Sequence, residues 1–137
     1  MKGVVLAGGL GTRMPMTRYN LNKHLVRVYD RPMIYYPIDT LKRSGFKEML
    51  IVTEASVRDR FEKIVGDGKE WGVKLQYEAQ TGAGGIAAAL SVAKKFADGN
   101  SVAVILGDNL FEQDFKKAIS NFRSGATIFL KRFKNNL

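Results

Sequence analysis

Cysteine is absent from the 137 residues, and histidine occurs once, as His24. The first absence excludes a disulfide framework, a thiolate nucleophile and any cysteine-ligated zinc site. A single histidine likewise excludes a multi-histidine metal site within one chain. No apolar run approaches the ~18–20 residues that a membrane-crossing helix needs. The stretch Met1–Gly9 carries too few apolar residues before its glycines to read as a signal peptide, so a cytoplasmic location and no membrane partner are expected. What remains is ordinary globular composition, 45% hydrophobic and 26% charged. A chain of this size buries roughly 68–70% of its unfolded surface, which suffices for one sizeable core and not for two. A single domain over residues 1–137 is therefore expected.

Acidic residues are in deficit. Lys and Arg number 22 against 13 Asp and Glu, a net charge of +9. Residues 1–50 hold nine basic and three acidic side chains, whereas residues 51–100 balance at seven each. The early excess includes Arg13, Arg18, Lys23, Arg27 and Arg31. A basic surface attracts nucleotides, nucleic acids and acidic lipids alike, so charge alone does not choose among them.

Apolar runs alternate with helix-like segments. Strands are expected at 2–7, 49–53, 73–78, 102–106 and 126–130. Helices are expected at 33–44 with Gly45 at the C-terminal cap, from a Ser56 cap to about Val65, at 86–96 and near 112–122. Strands separated by helices of this length argue for βαβ units around a parallel sheet. In such sheets ligands bind beyond the carboxyl ends of the strands, where strand order reverses. Three loops fall at such ends, 8–13, 80–85 and 107–109, which would gather Arg13, Gln80 and Asp108 from distant parts of the chain.

The first of these loops follows Leu6 and Ala7 and reads Gly8-Gly9-Leu10-Gly11-Thr12-Arg13. It matches neither G-x-G-x-x-G nor G-x-x-x-x-G-K-[ST]. Its glycines let backbone N–H groups approach a phosphate or base. A tight turn would also account for them, although an arginine two residues after the last glycine favours an anion. Plainer roles stand beside the other candidates: Asp108 capping the next helix, Lys23 and Arg13 as solvated charges, Gln80 satisfying loop backbone. His24 reads as structural or exposed, and Tyr35 and Tyr36 as packing.

The segment L-A-G-G-x-G-T-R, a following lysine and then V-Y-D-R-P-M-I-Y-Y-P resemble the sugar-phosphate nucleotidyltransferase family, nearest its thymidylyl-transferring branch. Gly66-Asp67-Gly68, Gly72, Gln80 ahead of Gly84-Gly85-Ile86-Ala87, and Leu106-Gly107-Asp108-Asn109-Leu110-Phe111 extend the likeness over essentially all 137 residues. The resemblance implies a Rossmann-like three-layer α/β/α fold with a mostly parallel sheet, cut to the N-terminal, nucleotide-binding half. Leu6, Ala7, Gly8, Gly9, Gly11 and Thr12 would line the nucleoside triphosphate, with the glycine amides on its phosphates. Arg13 would grip the phosphates and stabilise the transition state, with Lys23 beside the transferred phosphate. Gln80 and Gly85 would read the pyrimidine, and Asp108 would bind Mg²⁺.

The implied reaction is attack by a sugar-1-phosphate, such as glucose-1-phosphate, on the α-phosphorus of dTTP or UTP, with loss of pyrophosphate. A phosphate monoester is largely dianionic at pH 7, so no general base is required, and cations with oriented N–H groups supply the catalysis. The segment after Arg13 is one residue shorter than the family pattern, and Arg27 and Thr81 stand where the family has proline. The family's Glu-Lys-Pro segment and second metal-binding aspartate are not among these residues. Three classes follow: a transferase, a nucleotide-binding module that pairs with itself or with a chain carrying the complementary half, and a nucleic-acid binder. The last lacks any recognition-helix, RRM or zinc-finger pattern.

Overall fold

The apolar runs become strands, and the two central ones, at Lys2–Leu6 and Glu48–Glu54, are buried on both faces, as in parallel sheets covered by helices. The computed structural model describes residues 1–9, 22–82 and 84–130. Its strands are β1 (Lys2–Leu6), β2 (Arg27–Val28), β3 (Arg31–Pro32), β4 (Glu48–Glu54), β5 (Lys74–Gln80) and β6 (Val102–Leu106). Its helices are α1 (Tyr35–Arg43), α2 (Arg58–Val65), α3 (Gly85–Val92), α4 (Lys94–Ala97) and α5 (Lys116–Asn121). The main sheet has the order β5-β4-β1-β6, all parallel, while β2 and β3 form a small antiparallel ribbon. The chain steps outward from β1 through β4 to β5, then returns to place β6 on the other side of β1. Strand order thus reverses between β1 and β6, which opens a crevice at their carboxyl ends.

Alternation along the strands divides the core into two layers. Val5, Met49, Ile51 and Ile105 face α1 and α2 and pack with Ile38, Leu41 and Phe61. Val4, Leu6, Leu50 and Val52 face the opposite side and meet Ala89, Ala93 and Phe96 of the α3–α4 segment. The result is the expected three-layer α/β/α arrangement. On β5 the pattern alternates over its first five residues, with Leu75 and Tyr77 buried and Gln76 and Glu78 exposed, and breaks at its end, where Gln80 is buried.

Helix α1 ends as its sequence suggests. Gly45 takes φ +100°, and its N–H reaches the Lys42 carbonyl at 3.0 Å while Phe46 N–H reaches the Leu41 carbonyl at 3.1 Å. This Schellman arrangement satisfies carbonyls that the helix leaves unpaired, with Leu41 and Phe46 both in the core.

Four local expectations change. Ser56 does not cap α2; it lies in a 3₁₀ turn, Ala55–Val57, that runs directly into the helix. The alanine-rich helix breaks at Ala93, whose N–H bonds the Leu90 carbonyl at 3.0 Å, so that Ala89, Ala93 and Phe96 all reach the sheet. The helix expected from about residue 112 begins only at Lys116, because residues 111–115 are tied to α1 instead. Residues 126–130 form no strand. They find no pairing edge among the described residues, and Phe129 rests on the Phe115 ring with centroids 4.7 Å apart. The β2–β3 ribbon, turned by Tyr29 at φ +60°, had no clear signal in the sequence.

Candidate functional site at the carboxyl ends of the strands

Parallel registry places the ends of β1 and β6 side by side, Leu6 against Leu106, and the Gly107 N–H closes the pair on the Leu6 carbonyl at 2.8 Å. Beyond this point the β1 chain runs through Ala7, Gly8 and Gly9. Gln80, the last residue of β5, lies two strands away, yet its side chain spans the gap. Its Nε2 donates to the Gly8 carbonyl at 3.1 Å. The approach is so close that a Cβ at position 8 would stand 2.6 Å from Gln80 Cδ. Any Cβ there would displace the Gln80 amide. The Gly8 carbonyl also settles which way the amide lies, since it can face the nitrogen and not the oxygen. Gln80 Oε1 is buried and has no hydrogen-bond partner among the described residues, which leaves an acceptor for a donor brought by a ligand.

The turn after β6 holds the second group. Asp108 Oδ2 accepts from Lys23 Nζ at 2.6 Å, with the two side chains 35% and 22% exposed respectively. Lys23 opens a 3₁₀ turn, Lys23–Leu25, capped by Asn22. The Asn22 Oδ1 accepts from the His24 backbone N–H at 3.0 Å and lies 2.9 Å from its Nδ1. An amide oxygen can only accept, so Nδ1 carries the ring proton. His24 is 2% exposed, and its ring lies against Gly107, where a Cβ would stand 2.7 Å from its Cδ2. Its carbonyl accepts the Ile34 N–H at 2.8 Å. Residues 22–25 are therefore wedged between the Gly107 turn and the approach to α1, which brings Lys23 to Asp108.

Burial lowers the His24 pKa from 6.5 to about 4, aided by the Lys23 charge and opposed by Asp108. The ring is neutral at pH 7. For Asp108 the largest single influence, burial, pushes the carboxyl up, but the Lys23 hydrogen bond and charge together outweigh it and hold the pKa below its ordinary 3.8. The pair is an ammonium and a carboxylate at neutral pH.

The other residues singled out in the sequence are placed as follows. Leu6 and Ala7 turn their side chains into the two core layers, so neither offers a side chain to a ligand. Gly9 is exposed, and a Cβ there would come within 3.9 Å of Lys23 Cε. Gly85, at φ +68°, opens α3 just after β5. Gly11, Thr12 and Arg13 lie outside the described residues. Tyr35 stacks edge-on against Trp71 and Tyr36 bonds the Val28 carbonyl, as packing residues do. Arg27 is exposed and donates to the Asp30 carbonyl within its own ribbon, so the departure from proline leaves the Lys23–Asp108 pair intact. Asn22, which orients the residues around Lys23, was not singled out. An asparagine two residues before the lone histidine was its only signal.

Among the described residues no three His, Cys, Asp or Glu side chains gather to hold a metal. Asp108 stands as a single hard oxygen donor, and among the described residues no helix is long and apolar enough to cross a membrane. The crevice thus offers an amide acceptor at one end, an ammonium–carboxylate pair at the other, and glycine backbone between them.

The sequence model described as nucleotidyl transferase matches residues 2–135. Glucose-1-phosphate thymidylyltransferase of an Actinoplanes species is 40% identical over 127 residues, covering 92% of this chain and 42% of that protein. A Bacillus anthracis protein assigned as a glucose-1-phosphate thymidylyltransferase, crystallised with sucrose, superposes with a TM-score of 0.83 at 39% identity, over 88% of this chain and 49% of that one. A UDP-glucose pyrophosphorylase in complex with UDP-glucose superposes with a TM-score of 0.70 at 25% identity, over 87% of this chain and 52% of that one. The chain spans less than half the length of the curated relatives it matches.

Proposed function

The chain belongs to the nucleotidyl transferase family, and from that premise we propose that it forms the nucleotide-binding half of an enzyme that transfers a nucleoside monophosphate from dTTP or UTP to a sugar-1-phosphate such as glucose-1-phosphate. One observation carries the reading: Gly8, Gln80, Lys23 and Asp108 converge where strand order reverses between β1 and β6. Gln80 Oε1 accepts from the imide N–H of a thymine or uracil, its Nε2 being held by Gly8. The Gly8–Gly9 backbone and Gly85 leave room for the base and the first phosphates. Lys23 neutralises charge on the transferred phosphate, and Arg13 adds a second positive charge there, as the family resemblance implies.

Asp108 fits Mg²⁺, which commonly takes one or two protein carboxylates and completes its shell with substrate phosphates and water. When bound, the ion supplies charge neutralisation to the triphosphate. The dianionic sugar phosphate needs no base, so the chain's task is to hold two anions together and neutralise them. About 1 Å of misplacement can cost on the order of 100-fold in rate, which is why the wedge of Asn22 and His24 behind Lys23 matters. A cytosolic location goes with this reading.

A second reading is favoured by strand β6, whose outer side is unpaired among the described residues. In it the chain binds nucleotide but needs a second copy or a complementary chain for turnover. Pyrophosphate release from dTTP or UTP with glucose-1-phosphate separates the two. Release that disappears in Asp108→Ala supports the transferase. Nucleotide binding without release supports the module. No binding of either nucleotide removes both.

A further inference from the structure

We infer that Glu54 reads the ribose hydroxyls of the bound nucleotide, so that this crevice favours UTP over its 2′-deoxy counterpart. The inference rests on the nucleotide-binding reading above and concerns which sugar that site takes. Glu54 is the last residue of β4, the strand between β5, which ends in Gln80, and β1, which leads to Gly8. Its register partner is Gln80, and its backbone stays extended at φ −74° and ψ 150°. Paired positions on neighbouring strands put their side chains on the same face, about 4.8 Å apart. The Gln80 amide, in crossing from β5 to the Gly8 carbonyl, therefore passes beside Glu54. Pairing of β1 with β4 continues to this level, since the Ala7 N–H bonds the Val52 carbonyl at 2.7 Å.

Glu54 is half-buried, and among the described residues its carboxylate has neither a hydrogen bond nor an ion pair. A carboxylate only accepts, so a ligand that covers it must bring a donor. The imide N–H of a thymine or uracil is taken by Gln80 Oε1. The donors that remain on such a nucleotide are its sugar hydroxyls. UTP brings two, on neighbouring carbons, which match the two oxygens of a carboxylate; a 2′-deoxynucleotide brings one. Strand β1, helix α1 and strand β4 form one βαβ unit. Dinucleotide-binding sheets built from such units likewise set an acidic side chain on a ribose hydroxyl. UTP and dUTP carry the same charge, so Lys23, Arg13, Asp108 and any bound cation act on both alike and drop out of their ratio.

Calorimetric titration of the whole chain with UTP, dUTP and dTTP in the presence of Mg²⁺ tests this. The unaltered chain is expected to bind UTP about 10-fold more tightly than dUTP, the scale of one hydrogen bond to a charged group. Glu54→Ala should bring that preference to within about 2-fold of parity. It should leave the ratio of dTTP to dUTP, which reports the base methyl alone, where it was. Glu54→Gln keeps an acceptor without the charge and should retain a preference of about 3-fold. Glu48→Gln, at the opposite end of β4, should keep the full preference. Equal binding of UTP and dUTP by the unaltered chain overturns the role of Glu54 while leaving the nucleotide site in place. That comparison needs no variant, so it stands should Glu54→Ala unfold. A full preference surviving in Glu54→Ala overturns the role as well. Failure of the unaltered chain to bind any of the three nucleotides overturns both readings.

Discussion

At Gly8 one added methyl group would collide with Gln80 Cδ at 2.6 Å and with its Nε2 at 2.8 Å. Gly8→Ala should therefore push the amide out of register, costing about 1–3 kcal/mol of stability as overpacking does and lowering dTTP affinity by roughly 10-fold or more. Thermal unfolding and calorimetry read the two effects separately. His24 makes a second prediction. Its folded pKa of about 4 lies below its ordinary 6.5, so the unfolded chain binds more protons between those values and stability must rise with pH across them. The contribution is complete above pH ~6.5 and is lost as pH falls toward ~4, on the order of 3 kcal/mol. Urea unfolding at a series of pH values should show that slope, and His24→Gln should flatten it. The Asp108 carboxyl, held below 3.8, adds stability that is present above that pH and is lost as pH falls further.

Among the elements, α1 does more than cover the sheet. Arg43, paired with Asp39 on its own helix, donates to the carbonyls of Phe111 and Glu112 at 3.0 and 2.9 Å. The Ser44 Oγ accepts the Phe115 N–H at 2.9 Å. These bonds hold the chain leaving Asp108 as a strap across the end of α1, and they explain why α5 starts late. Helical periodicity and a run of polar residues could not reveal this, since the competing partners lie some 70 positions away in the chain. Arg43→Met keeps the aliphatic stem and removes the donors. It should cost about 1–2 kcal/mol, the range for charge-assisted bonds to backbone, and hydrogen exchange at the Phe115 amide should quicken. Unaltered exchange there would show that the strap does not depend on Arg43.

For the molecule as a whole, β6 is the edge of the sheet nearest the crevice, and among the described residues nothing pairs with its outer side. Val104 on that strand is 42% exposed, and Ile128 and Leu130 beyond it are 79% and 90% exposed. An unpaired strand that exposes an apolar side chain is a template for another chain. Val104→Lys should reduce self-association at high protein concentration, followed by sedimentation velocity, with a stability change within about 0.5 kcal/mol, as expected for an exposed position. Sedimentation as a monomer before any substitution would remove the premise.

The resemblance of the motifs implied the three-layer class and the candidate residues, while four of the five expected strands and the glycine cap of α1 could be read from local pattern, because they depend on hydrophobic period and backbone freedom within a few positions. Whether Gln80 meets Gly8, whether Lys23 is solvated or paired, and that a lone histidine packs against Gly107 could not. Each of those contacts joins segments separated by 72, 85 or a similar number of positions. Only the reversal of strand order, with the burial that accompanies it, brings them within bonding distance.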